Sequence, residues 1–145
     1  MRGASLSPRP GGFLLVLAVA ATLAVLPASA THLPDHRYWV LGFVTDAGGQ
    51  PVADARVVVT RLKTGLEYPT TTARDGFYVV VVHIHDEDEG ERLGLALPGV
   101  KGEVRARFDP RDKKVERGTR VDARADRLVE NRRAFAETLR AYLNR

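Results

Sequence analysis

The residues with the most evident chemical potential lie together in the middle of the chain. His83 and His85 stand two positions apart at the end of the most strand-like stretch of the sequence. Since alternate side chains of a strand point to the same side, both imidazoles could bind one metal ion. The acidic run that follows places Asp86 and Asp88 two apart, with Gly90 after them. This spacing resembles a calcium-binding loop, and calcium is the one cofactor that the sequence suggests.

The calcium pattern is incomplete, which favours a structural interpretation of the acidic run. The glycine is the fifth residue of the run rather than the sixth, and the distal glutamate of such loops is missing. We therefore predict a solvated turn whose carboxylates cap backbone N–H groups. A calcium site at Asp86 and Asp88 and a histidine-based metal site are retained as alternatives.

Aromatic and apolar residues supply a second set of candidates. Tyr38 and Trp39 precede or open the first predicted strand and could stack on a sugar ring, although aromatic residues there are more often part of a core. Residues 77–85 are apolar on both sides, because Phe77, Val79 and Val81 alternate with a second apolar set. A solvated strand face is usually polar, so we expect another element or a partner to cover this side.

Seven short strands are predicted to position these residues. They occupy residues 38–46, 55–63, 67–72, 77–85, 92–97, 103–108 and 115–123, separated by turn signals such as Asp75-Gly76, which is typical of a hairpin. This spacing predicts an all-β, antiparallel sandwich. No alternation of strands and helices is present.

The end of the chain changes its periodicity from strand to helix. We predict an amphipathic helix of about 18 residues from an N-cap at Asp126, with Leu128, Phe135, Leu139 and Tyr142 on one side. The helix is expected to cover the apolar side of residues 77–85. The sequence leaves open that it instead binds a partner or forms a homodimer.

Residues 1–30 have the pattern of a signal peptide. A basic start is followed by an apolar run of 14 residues from Phe13 to Leu26 and by the small residues Ala28-Ser29-Ala30. A spanning helix needs roughly 20 apolar residues, so an uncleaved anchor is the lesser alternative. We predict an exported chain that begins at Thr31, lies in the periplasm or outside the cell, and has no membrane span after cleavage.

Composition excludes several classes of site. The chain has no cysteine, which excludes disulfides, thiolate metal sites and cysteine nucleophiles. The net charge of +4 reflects a basic segment after residue 100. Acidic residues are interspersed in that segment and no aromatic residues alternate with its arginines, so we predict no nucleic-acid binding.

An ordered series of turn and core residues resembles the carboxypeptidase regulatory-like domain. The pattern is Gly42-x-Val44-x-Asp46-x-x-Gly49-x-Pro51-Val52-x-x-Ala55-x-Val57-x-Val59, followed by Thr71-Thr72-x-x-Asp75-Gly76-x-Tyr78. The resemblance implies a transthyretin-like (prealbumin-like) β-sandwich related to starch-binding-like domains. It also implies an accessory or interaction module without chemistry of its own.

These observations together predict a signal peptide at 1–30, a sandwich at 31–123 and a C-terminal helix at 124–145. The expected function is a non-catalytic, exported accessory module that binds an envelope protein. One alternative is a carbohydrate-binding module, and a second is a small enzyme of transthyretin-like fold. The candidate binding residues are Tyr38, Trp39, Phe77, Val79 and Val81.

Overall fold

Eight strands and one α-helix form in residues 36–145, the part of the chain that the computed structural model describes. The strands are β1 (Arg37–Thr45), β2 (Arg56–Arg61), β3 (Glu67–Thr71), β4 (Phe77–His83), β5 (Arg92–Leu97), β6 (Val100–Arg105), β7 (Arg117–Arg124) and β8 (Arg127–Glu130), and the helix is α1 (Phe135–Leu143). They form two four-stranded sheets with the orders β4-β1-β7-β8 and β3-β2-β5-β6. The predicted all-β sandwich is confirmed, with eight strands instead of seven.

The strand pairing differs from the predicted pattern in two places. β1 pairs with β7 in parallel, Tyr38 opposite Arg117, whereas the other strand pairs within the described residues are antiparallel. The Asp75-Gly76 turn is not a hairpin, because β3 and β4 belong to different sheets. Gly76 has a φ of 76°, and the turn leads the chain from one sheet to the other so that β4 can pair with β1.

The main core lies between the two sheets. β4 contributes Tyr78, Val80 and Val82 to this core, as its alternation predicts. Tyr78 lies opposite Gly42 in the β1–β4 ladder, and its hydroxyl donates to the carbonyl of Val121 at 2.7 Å. A side chain at Gly42 would overlap that same carbonyl, so the glycine permits the close approach of β1 and β7.

The predicted helix start at Asp126 is wrong. Residues 127–130 form β8, which continues the ladder beside β7 with Leu128 opposite Ala123. The turn before β8 places Ala125 at a φ of 54°. Glycine and asparagine are the residues that usually mark this conformation in a sequence, and neither occupies this position. Leu128 packs against the main core and over Gly102 instead of joining the helix. The helical turns begin after Asn131, whose side chain accepts from the backbone N–H of Ala134.

The shortened helix packs on the outer face of the first sheet, as expected for its apolar side. Phe135 and Leu139 form a second buried cluster with Leu41 and Phe77, and the ring of Tyr142 lies 5.4 Å from that of Phe77. The Phe135 ring fills the space above Gly118, where a Cβ atom would overlap it. A homodimer through these helix residues would therefore require α1 to leave its own sheet.

The predicted signal peptide lies outside the described residues. Within residues 36–145, no helix has the length and apolar character needed to cross a membrane.

Candidate functional site

Strand register brings three histidines together at one end of the first sheet. His83 is the last residue of β4, and His85 follows two residues later. His36 immediately precedes β1, whose first residue, Arg37, lies opposite His83. The backbone N–H of Ile84 donates to the carbonyl of His36 at 3.0 Å, which extends the pairing by one residue. The cluster thus joins residues that are almost fifty positions apart in the sequence.

The three imidazole rings are in mutual contact. The ring centroids of His83 and His85 are 4.6 Å apart, those of His36 and His85 4.6 Å, and those of His36 and His83 5.3 Å. The Nε2 atoms of His83 and His85 are 3.1 Å apart, a distance at which one nitrogen donates to the other. His36 and His83 are exposed and His85 is half-buried, so the cluster is open to solvent.

The surroundings of His83 favour the neutral form of its imidazole. Partial burial, followed by the neighbouring rings of His85 and His36 and the charge of Arg61, lowers the pKa of His83. A neutral ring offers a nitrogen lone pair, which is the form that binds metal ions. Within residues 36–145, these three histidines lie close enough to one another to hold one metal ion.

A buried arginine fixes the chain around His83 and the loop after His85. Arg61, 7% exposed, donates to the carbonyl of His83 at 3.0 Å and to the carboxylate of Asp88 at 3.0 Å. It also makes a two-point ion pair with Glu91, at 3.0 and 2.5 Å. Since Asp88 and Glu91 both belong to the acidic run after His85, one guanidinium holds both this loop and the end of β4 in place.

The two carboxylates of the calcium hypothesis are each paired with two cations. Asp86 accepts from Lys113 at 2.6 Å and from Arg117 at 2.7 Å. Asp88 accepts from Lys63 at 2.6 Å in addition to Arg61. The hydrogen bond from Lys113, reinforced by Arg117, lowers the pKa of Asp86, and that from Lys63 lowers the pKa of Asp88. A calcium ion would have to displace these cations, so we do not propose calcium at this loop.

The five predicted binding residues divide into buried and accessible ones. The pairing of Tyr38 with Trp39 as a sugar platform is wrong, because Tyr38 is 0% exposed and its hydroxyl faces the carbonyl of Arg105. Burial raises the pKa of Tyr38 to about 12. Phe77 is buried beneath α1. Trp39 and Val79 are half-buried, and Val81 is 39% exposed.

Trp39, Val79 and Val81 form what we call the open strip, the part of the outer face beyond α1. Trp39 and Val81 lie opposite each other in the β1–β4 ladder. The indole N–H of Trp39 donates to Glu116 at 2.8 Å, and Glu116 also accepts from Arg37 at 3.2 Å. The Arg37 guanidinium lies 5.9 Å from the centre of the indole ring. These contacts hold the only tryptophan of the chain in one orientation.

Sequence reasoning missed three residues of this region: His36, Arg61 and Glu91. His36 is distant in sequence, and only the antiparallel register of β1 and β4 places it beside His83. The sequence predicts no pairing between these two strands, so no signal in it identifies His36. Arg61 alternates with the buried residues Val57 and Val59 on β2, so its inward direction was visible in the strand pattern.

Part of this sandwich is similar to a known protein family. Residues 40–85 match the carboxypeptidase regulatory-like domain, which confirms the resemblance over that range. The match begins within β1, continues through β4 to His83 and His85, and ends before the acidic run begins at Asp86. No curated protein matches the chain in sequence.

Several solved structures are similar at low sequence identity. The crystal structure of (S)-allantoin synthase is 13% identical with a TM-score of 0.45, and the match covers 69% of this chain and 45% of that one. The dioxygenase domain of a dioxygenase carbohydrate-binding protein fusion from Streptomyces sp. SirexAA-E is 11% identical, with a TM-score of 0.38 and coverages of 66% and 80%. Catechol 1,2-dioxygenase from Acinetobacter sp. ADP1 is 10% identical, with a TM-score of 0.39 and coverages of 72% and 55%. This chain thus spans less than half of the allantoin synthase, and no activity follows from these similarities.

Proposed function

We propose that this protein is a non-catalytic accessory module, exported from the cytoplasm, that binds a protein partner in the cell envelope through the open strip. The observation that carries the proposal is the incomplete cover of the outer face: α1 buries Phe77 but leaves Val81 39% exposed beside Trp39. A strand face with this composition is ordinarily covered. The match of residues 40–85 to the carboxypeptidase regulatory-like domain supports an accessory role.

The composition of the open strip favours a protein over a glycan as its occupant. Protein interfaces typically combine an apolar centre with tryptophan and arginine anchors and a charged rim. Val79 and Val81 supply the apolar centre, Trp39 the held aromatic anchor, and Arg37 with Glu116 the rim. Sugar binding by stacking needs accessible aromatic faces, and Tyr38, the second ring predicted for it, is inside the core.

The hydrogen bonds of the two buried tyrosines, Tyr38 and Tyr78, support a non-catalytic role. The hydroxyl of Tyr78 bonds to the carbonyl of Val121, and that of Tyr38 faces the carbonyl of Arg105. Burial raises the pKa of both phenols, which keeps them neutral in the folded chain. Neither is therefore suited to act as an anionic ligand or as a base.

Site-specific photocrosslinking tests the proposal directly. The full chain carries a photoreactive amino acid in place of Val81, and the control carries it in place of Val115, an exposed valine on a loop. After irradiation in the native envelope fraction, we expect a discrete protease-sensitive adduct from position 81 and none from position 115. No adduct at position 81, or equal adducts at both positions, would contradict the protein-binding role.

The same experiment separates the carbohydrate alternative, and a second measurement tests export. An adduct that resists protease and is removed by glycosidases would favour the glycan, as would glycan-array binding that is lost in Trp39→Ala. Amino-terminal sequencing of the chain recovered from the envelope should begin at Thr31. A chain that retains residues 1–30 would contradict the predicted cleavage.

A further inference from the structure

We propose that His36, His83 and His85 form a binding site for one divalent transition-metal ion of the Zn²⁺, Co²⁺, Ni²⁺ or Cu²⁺ type. One ring nitrogen from each histidine lies within 4.8 Å of the other two. An ion bound at about 2.0–2.1 Å from each nitrogen of a tetrahedral set holds those nitrogens about 3.3 Å apart. The Nε2 atoms of His83 and His85 are already 3.1 Å apart. His36 is exposed, so its side chain is free to rotate toward these two nitrogens.

The backbone under each ligand is held before any ion binds. β1 pairs with β4 up to Arg37 opposite His83, and the carbonyl of His36 accepts from Ile84. The carbonyl of His83 accepts from Arg61, and that of His85 accepts from the backbone N–H of Asp88. A site whose ligands are fixed in advance loses little conformational entropy on binding, which raises its affinity.

The donor set decides the class of ion. Three imidazole nitrogens suit Zn²⁺, Co²⁺, Ni²⁺ and Cu²⁺, whereas Ca²⁺ and Mg²⁺ require several oxygen ligands. Among the described residues, Asp86 and Asp88, which follow the cluster in sequence, are committed to Lys113, Arg117, Lys63 and Arg61. The described part of the site thus offers nitrogen ligands, which do not suit the hard cations.

Three protein ligands leave a position of a tetrahedral ion unfilled. His36 and His83 are exposed, so this position faces solvent and is accessible to water or to an external ligand. The site is separate from the open strip in its residues, since none of Trp39, Val79 and Val81 is a ligand. The metal proposal therefore stands or falls independently of the proposed protein partner.

Metal titration of the full chain tests the proposal. The chain is prepared without a polyhistidine tag, and Zn²⁺ binding is followed by calorimetry and Co²⁺ binding by its visible absorption. We expect one ion per chain, with Ca²⁺ and Mg²⁺ not competing. His36→Ala, His83→Ala and His85→Ala should each weaken Zn²⁺ binding at least tenfold, because even indirect supports of metal ligands contribute that much.

The chain contains its own matched control. It has four histidines, and His32 is the one that the proposed ligand set does not include. His32→Ala should leave the affinity and the stoichiometry unchanged. Glutamine replacements at the three cluster positions provide a second series that preserves side-chain bulk if an alanine variant unfolds.

Three results would overturn the site. The first is that none of the four ions binds saturably. The second is that the three cluster variants bind Zn²⁺ with the affinity of the unmodified chain. The third is that His32→Ala loses as much Zn²⁺ affinity as His83→Ala. A measurement on the unmodified chain adds an independent check, since Zn²⁺ must perturb the imidazole NMR signals of three histidines. Perturbation of two signals only would contradict a site with three histidine ligands.

Discussion

Two leucines of α1 give a direct measure of how much the helix stabilises the sandwich. Leu139 is 4% exposed and packs against Leu41, Phe77 and Phe135, whereas Leu143, one turn later, is 59% exposed. Leu139→Ala and Leu143→Ala make the same chemical change in the same helix. They should therefore differ only in the burial of the side chain.

The expected loss of stability in Leu139→Ala follows from how the second buried cluster, between α1 and the first sheet, is packed. Truncating a buried leucine to alanine costs about 2–5 kcal/mol, and the lower half of this range applies where neighbours can move into the space. Trp39, Phe43, Val79 and Tyr142 at the rim of the cluster are only partly buried, so some collapse is expected. We predict that Leu139→Ala lowers the free energy of unfolding by about 2–3 kcal/mol, against less than about 0.5 kcal/mol for Leu143→Ala.

Urea unfolding followed by tryptophan fluorescence is the appropriate assay. Trp39 is the only tryptophan and borders the cluster, so its emission reports this face, while far-ultraviolet circular dichroism reports the whole sandwich. For a domain near 100 residues, the predicted loss lowers Tm by about 8–20 °C. Equal losses in the two variants, or a loss below about 1 kcal/mol in Leu139→Ala, would refute the packing of α1 on β1 and β4.

Three further predictions concern buried charge, acid and backbone contact. Arg61→Met leaves two buried carboxylates without their common partner. It should lower the free energy of unfolding in urea by about 3–5 kcal/mol. Arg56→Met, at an exposed position of the same strand, should change that free energy by less than about 0.5 kcal/mol. Because the pKa of Asp88 is lowered from its ordinary value of 3.8, its ion pairs stabilise the fold fully above that pH. This stability is lost as the pH falls through the lowered pKa, so the urea midpoint should drop as the pH falls below 3.8, and less steeply in Asp88→Asn. Gly118→Ala should lower the stability measured by thermal unfolding by about 1–3 kcal/mol, because the new Cβ overlaps the Phe135 ring. Gly48→Ala, in an exposed turn, should change stability by less than about 0.5 kcal/mol.

The strands were predictable because their signals are local. Alternating apolar residues and glycine turns located all seven predicted strands. The turn at Pro98-Gly99, where Gly99 has a φ of 73°, was also predicted, but β6 begins directly after it at Val100, three residues before the predicted strand at 103–108. β8 was not predictable in the same way. Leu128 and Val129 fit the helical period that continues to Tyr142, and the turn that separates them from β7 rests on Ala125, a residue that rarely adopts a positive φ.

The candidate site was only partly predictable, because it depends on which strands pair. The pair His83 and His85 follows from strand alternation alone. The third ligand, His36, requires the register of β1 against β4, and the pairing of Asp86 with Lys113 and Arg117 requires a contact across about thirty residues. Short acidic runs look like ion sites in a sequence because the cations that neutralise them come from elsewhere in the chain.

The parallel pairing of β1 with β7 has a consequence for the order of events in biosynthesis. β1 is among the first parts of this domain to be made, yet it lies between β4 and β7, and Tyr38 meets Arg117 only after almost eighty further residues. Contacts so distant in sequence form slowly, because the intervening chain must first lose its freedom. The first sheet therefore cannot close until β7 has left the ribosome. Until then Tyr38 and Val40 lack their β7 neighbours.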